Sequence, residues 1–176
     1  MKKSNAKEKI CGLASYAVLT VLTVAACWFF AGRYGVFGAN MDWISQHSVF
    51  PEYFRQQFYK TGQFFPEYAA NIGGGQNIYN FSYYGLYNPI VLIAYLLPFV
   101  KMSDYIMAVS ITGLTASVLL FYYWLKSRKT DTGTAFILSL MFLLAGPMIG
   151  QYSGQIMFVD YMPFLCLALI GVDRYF

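Results

Sequence analysis

The sequence predicts an all-α integral membrane protein with about four transmembrane helices and a long external loop that carries interfacial helices. Three observations support that prediction. The 176 residues are 58% hydrophobic, 20% aromatic and only 11% charged, about half the charged fraction of a soluble domain. Uncharged runs of bilayer length recur along the chain. The lysines and arginines divide unevenly among the loops, as topology signals do. With a net charge of +4, these scattered basic residues form no stripe that would hold nucleic acid.

Ile10 to Ala31 (ICGLASYAVLTVLTVAACWFFA) runs 22 residues without a charge, enough for a bilayer that needs about 20. Lys2, Lys3, Lys7 and Lys9 precede it, like the basic start of a signal peptide. The run is longer than the roughly 7–15 apolar residues of a signal peptide, so it reads as an uncleaved anchor. Asp104 to Leu125 is a second span, ending at KSRKTDTG. Thr132 to Ile149 is a third, and Phe158 to Val172, interrupted by Pro163, a fourth. Cys11, Cys27 and Cys166 sit inside apolar stretches without metal or disulfide spacing and read as small buried hydrophobes.

Residues 88–100 (NPIVLIAYLLPFV) are ambiguous. Asn88 reads as an N-cap with Pro89 at the first helical position. Only 12 residues, Pro89 to Val100, are apolar, the length of an interfacial or re-entrant helix. Charge arbitrates. If the segment does not cross, the cytoplasm receives Lys2, Lys3, Lys7, Lys9, Lys126, Arg128, Lys129 and Arg174, and the outside only Arg33, Arg55, Lys60 and Lys101. If it does cross, Lys126, Arg128, Lys129 and Arg174 move outside and the bias reverses. The expected arrangement has spans at about 10–31, 104–125, 132–149 and 158–172, both ends cytoplasmic, and an external loop from 32 to 103 with an interfacial helix at 89–100. The chain stops at GVDRYF directly after the fourth span, so residues 1–176 read as a single membrane domain from the N-terminal part of a longer polytopic protein.

The external loop holds the open chemistry. Between Gly32 and Tyr87 lie eight tyrosines, seven phenylalanines and Trp43, fit either for an interfacial belt or for a platform that stacks sugar rings or packs a polyprenyl tail. Phe50, Phe54 and Phe58 recur every fourth residue, an apolar stripe suited to lying on a membrane. Asp42 and Gln46, four apart, share a face at the start of the same helix. Asp42 has two open readings: a helix cap that also favours the dipole, or a working carboxylate. GGGQNIY (73–79) lacks the lysine and hydroxyl of a phosphate loop and reads as a flexible turn, followed by amide and phenol groups that could bond a carbohydrate. His47 has no second ligand at metal spacing. Asp160 lies near the external entrance of the fourth span, where carboxylates are costly. Arg33, Arg55 and Lys60 are the nearby cations, free either to meet a phosphate or to make ordinary headgroup contacts.

A basic start and first span, then an aspartate early in a large external loop, then TGQFFPEYAANIGGGQNIYNFSYYGLYNP leading into an apolar helix, resembles the YfhO family of bacterial membrane proteins. The resemblance covers nearly the whole chain and is most specific from Asp42 to Pro89. It implies the N-terminal part of a GT-C-like fold in the bacterial cytoplasmic membrane. It also implies transfer of sugar from a polyprenyl-phosphate carrier to a cell-envelope polymer such as teichoic acid at the outer face. The implied partners are membrane lipid, the lipid-linked donor and the glycopolymer acceptor, with no nucleic acid and no cofactor or metal. Asp42 takes the position of the family's catalytic base. Gln46, His47, Tyr79, Tyr84 and Asp160 are the candidate substrate-binding residues. The remaining carrier-binding residues would lie beyond Phe176, so these 176 residues alone are expected to be inactive. The competing readings are a transporter or flippase segment for lipid-linked intermediates and a non-catalytic membrane subunit.

Overall fold

The computed structural model describes residues 2–34, 37–38 and 42–176, with side chains at all of these except 2–9 and 34. The side chains of Lys2, Lys3, Lys7 and Lys9, which carry the basic start, therefore lie outside the description. In chain order the elements are α1 (Lys2–Tyr34), α2 (Val49–Thr61), β1 (Tyr68–Ala69), β2 (Gln76–Asn77), α3 (Pro89–Ile93), α4 (Met102–Ser127), α5 (Thr132–Leu144), α6 (Gly146–Gly154) and α7 (Met162–Tyr175). Three helical stretches are long and apolar enough to cross a membrane: Ile10–Arg33, Met102–Ser127 and Ile156–Tyr175. A bent pair, α5 with α6, makes a fourth if counted as one span.

That bend departs from the sequence reading, which ran Thr132 to Ile149 as one helix. α5 and α6 meet at 47°. Pro147 is the cause. Its ring has no N–H and collides with the carbonyl four residues back, so Ala145 turns extended (φ −60°, ψ 130°) and α6 restarts with the proline in its first turn. Pro163 does the opposite of what the sequence suggested. It sits in the first turn of α7 and starts that helix rather than interrupting it.

α4 forms the centre, packed against α1, α5, α6 and α7. Leu19 and Cys27 of α1, Leu114, Val118 and Tyr122 of α4, Leu143 of α5 and Tyr152 of α6 form the buried core. Polar groups are threaded through it. The Ser117 and Tyr152 hydroxyls pair at 3.0 Å, and Ser110 donates to the Tyr152 carbonyl. Gly113 makes room for that ring, since a Cβ there would come within 3.1 Å of Tyr152 Cε1. Small residues permit such close helix approach in membranes.

The loop between α1 and α4 builds a core of its own from Phe54, Ala69, Ile78, Tyr84, Leu86, Val91 and Tyr95. The phenylalanine stripe of α2 therefore turns inward and does not lie on the membrane. Phe54 is fully buried, Phe50 stacks on Phe81 at 4.7 Å, and Phe58 packs on Tyr95 at 5.2 Å. The exposed apolar part of the loop is elsewhere. α3 and the 3-10 turn Ala94–Leu96 make five residues plus three, about 12 Å of helix against a hydrocarbon core of roughly 30 Å. Ile93, Leu96 and Leu97 are exposed on it, and Phe99 is 98% exposed, an edge suited to the headgroup boundary. Asn88 caps this helix as its sequence suggests, accepting from the Ile90 N–H at 2.9 Å.

The triple glycine is not a loose turn. Gly73, Gly74 and Gly75 all hold positive φ (59°, 80° and 99°), which costs glycine little and other residues much. They reverse the chain so that Tyr68 pairs with Asn77 and Ala69 with Gln76.

The division of basic residues predicts the sidedness. With the native cysteines replaced, Lys60→Cys and Gln76→Cys should react with an impermeant maleimide from outside, and Arg128→Cys only after permeabilisation. External labelling at 128 would overturn the reading of residues 89–100 as an interfacial helix that does not cross.

Candidate functional site

The site forms where the chain leaves α1 and re-enters a helix. Pro51 has no N–H to offer the His47 carbonyl, so a continuous α-helix cannot run from Asp42 into α2. Instead Trp43–His47 forms a π turn, closed by the Ser48 N–H on the Trp43 carbonyl at 3.0 Å, and α2 restarts at Val49. Turns of this kind are rare and concentrate at functional sites.

Asp42 stands at the head of that turn, and its side chain does not cap it. A capping residue has extended backbone, which lets its carboxylate fold back onto the N–H groups of the first turn. Asp42 is already helical (φ −71°, ψ −36°). Both carboxylate oxygens are instead taken by side-chain amides. Gln46 donates to Oδ1 at 3.3 Å, and Gln155 donates to Oδ2 at 2.9 Å across 113 residues of sequence. Neither ion pair among the described residues includes Asp42. The result is an anion oriented by neutral donors, with acceptor capacity left on each oxygen.

The other candidates divide into three groups. His47 follows Gln46 on the same turn and is 1% exposed, ringed by Trp43, Tyr84 and Phe158. Its Nδ1 has no hydrogen-bond partner among the described residues. Burial pushes its imidazole below the ordinary value, against the opposing charge of Asp42, so the ring is neutral. Tyr84 packs edge-on to His47 at 5.4 Å, and burial and Tyr83 push its phenol well up. Asp160 accepts from the Asn88 amide, which ties the start of α7 to the cap of α3. Tyr79 belongs to a different patch, stacked on Tyr87 at 5.9 Å, with Phe65 on the other contact of Tyr87. The structure thus brings Asp42, Gln46, His47 and Tyr84 together, joins Asp160 to the same region through the α6–α7 connection, and leaves Tyr79 on the surface.

That connection is what the sequence reading missed. Gln155 holds Asp42, Ile156 packs in the cluster with Trp43, Phe158 meets His47, and Asp160 meets Asn88. The available signal was an amide pair, Gln151 and Gln155, four apart in an otherwise apolar stretch, where polar groups are expensive. Arg55 was misread in another way. It is 4% exposed, and its guanidinium serves the carbonyls of Leu97 and Val100 at 3.0 and 2.9 Å as well as Glu52. Those donors are occupied in holding the loop and are not free for a phosphate.

The family model of the bacterial membrane protein YfhO matches residues 16–176. The chain belongs to the YfhO family. The match contains the whole site, from Asp42 to Asp160. No curated protein and no solved structure matches the chain. Among the described residues of this YfhO protein no three His, Cys, Asp or Glu side chains converge.

The neutral His47 gives the site a pH dependence. The unfolded chain binds a proton at the ordinary histidine value of about 6.5, whereas the folded ring resists it. Stability is therefore intact above that value and falls as the pH drops below it. Melting of the detergent-solubilised protein should come at lower temperature at pH 5.5 than at 7.5, and His47→Phe should reduce that difference. An equal difference in the variant would assign it to other groups.

Proposed function

We propose that this YfhO protein acts as a membrane glycosyltransferase that moves a sugar from a polyprenyl-phosphate carrier to a cell-envelope polymer, such as teichoic acid, at the outer membrane face. The observation that carries the reading is the placement of Asp42, whose carboxylate is turned away from the helix end and held by two neutral amides. A structural cap needs neither feature. A general base needs both a fixed direction and an unneutralised charge.

In the proposed step the acceptor hydroxyl gives its proton to Asp42 as its oxygen bonds to the anomeric carbon. The bond from that carbon to the carrier phosphate breaks, and the phosphate leaves with the electron pair, inverting the configuration. General-base help of this kind contributes on the order of 10²–10⁴-fold. The tyrosine-rich loop surface suits a sugar or polyprenyl chain.

A transport reading has one observation in its favour, the bent α5–α6 span beside the buried Ser117–Tyr152 pair, since broken helices with polar groups mark transporter sites. The two readings separate in proteoliposomes of the complete protein containing labelled polyprenyl-phosphate sugar. An enzyme puts label on polymer supplied to the outer face. A flippase moves the intact donor between leaflets and leaves the polymer unlabelled.

A further inference from the structure

We infer that Gln155 is the positioning residue of the Asp42 carboxylate, delivered to it by the break that Pro147 makes in the third span. The inference rests on the reading of Asp42 as a working base. Three features converge. The amide reaches Asp42 Oδ2 at 2.9 Å, closer than Gln46 at 3.3 Å. It comes from a different part of the fold, so it fixes the carboxylate relative to the membrane helices. Gln46, one turn along, can fix it only within the loop. And its backbone has left the helix. Gln155 (φ −144°, ψ 59°) follows the last residue of α6, with its N–H still on the Gln151 carbonyl at 2.7 Å, and this exit aims the side chain at the loop.

The chemistry of the donor matters as much as its place. An arginine or lysine here would neutralise the carboxylate and lower its appetite for a proton. An amide fixes its direction and leaves the charge. Hydrogen bonds to an ionised group are among the stronger ones, so the loss of this donor is readable in the carboxylate itself. The other titratable groups facing Asp42 are His47 from its own turn and Tyr84 from the tyrosine-rich turn. The connection that carries Gln155 also carries Asp160, which Asn88 holds.

The test uses Gln155→Met, which keeps length and loses the donor, and Gln155→Glu, which sets a second carboxylate against Asp42. The readout is the infrared carboxyl band of Asp42, isolated by difference from Asp42→Asn and titrated with pH in the detergent-solubilised protein. It needs no turnover. Gln155→Met should move the midpoint up, since the charged form loses a donor. Gln155→Glu should move it further and split it, because two carboxylates in contact share a proton. Gln46→Met should do less. A residue that merely tethers the loop would alter melting and leave the midpoint in place, and unmoved midpoints in both Gln155 variants overturn the inference. The functional reading fails separately. If transfer survives Asp42→Asn, Asp42 is not the base. If Asp42→Asn abolishes transfer while the Gln155 midpoints stay put, only the positioning role falls.

Discussion

Arg55→Met should destabilise the loop between α1 and α4 by about 1.5–3 kcal/mol, the cost of losing a buried, charged hydrogen-bond donor. The side chain is 5% exposed and lies against Glu52, whose side chain is 32% exposed. It also bonds the carbonyls of Leu97 and Val100, with Ala94 at 3.5 Å. Backbone N–H groups already serve two of these carbonyls, that of Leu97 on Ala94 at 3.0 Å and that of Val100 on Leu97 at 3.1 Å, so the Val100 carbonyl is the one that depends on Arg55. Methionine fills the volume and offers no donor, so the Val100 carbonyl must open to water and Glu52 loses its counter-charge. The purified protein should melt earlier, and protease should cut between residues 61 and 101 where the wild-type loop resists. An unchanged melting temperature with an intact loop would show that Arg55 is dispensable. Glu52→Gln weakens the same contact from its more exposed side and should cost up to about 1 kcal/mol. Glu67, which is exposed, is the carboxylate of the same loop that serves as a neutral control.

The elements that depend on length and composition were legible in the sequence. The 22-residue run after the lysines and the run ending at KSRKTDTG had one physical solution in a bilayer. Asn88-Pro89 signalled a helix start because each residue satisfies or removes a backbone donor locally. Pro147 was legible in principle, but a hydropathy run does not register a missing N–H, and the span was read straight through it. The phenylalanine stripe of α2 had a correct period and an unreadable direction. An apolar face specifies burial, and only the tertiary partners Phe81, Tyr84 and Tyr95 say against what. The site shows the same limit. Asp42 and Gln46 were paired by helical spacing. Gln155, 113 residues on, reaches Asp42 through the geometry of a helix exit that no local pattern encodes. Arg55 looked like a free cation because its acceptors are backbone carbonyls of a distant segment.

Asp42→Asn separates the two roles that an aspartate at a helix start can play. Asparagine keeps the size of the side chain and one acceptor oxygen. Gln46 or Gln155 can turn its own amide to match the new one, so the loop contact survives in altered form. No cap is lost, because none is made. Stability should change by less than about 1 kcal/mol, within the range of a single retained or weakened hydrogen bond. Transfer should fall by about 10²–10⁴-fold, since the amide cannot take a proton from the acceptor hydroxyl. The most direct measurement is the transfer rate of Asp42→Asn beside Glu67→Gln and wild type, in the same membranes at matched expression. The account predicts a loss of two orders of magnitude or more at position 42, with Glu67→Gln close to wild type. Near-normal transfer by Asp42→Asn would contradict it and turn the search for the base to Asp160.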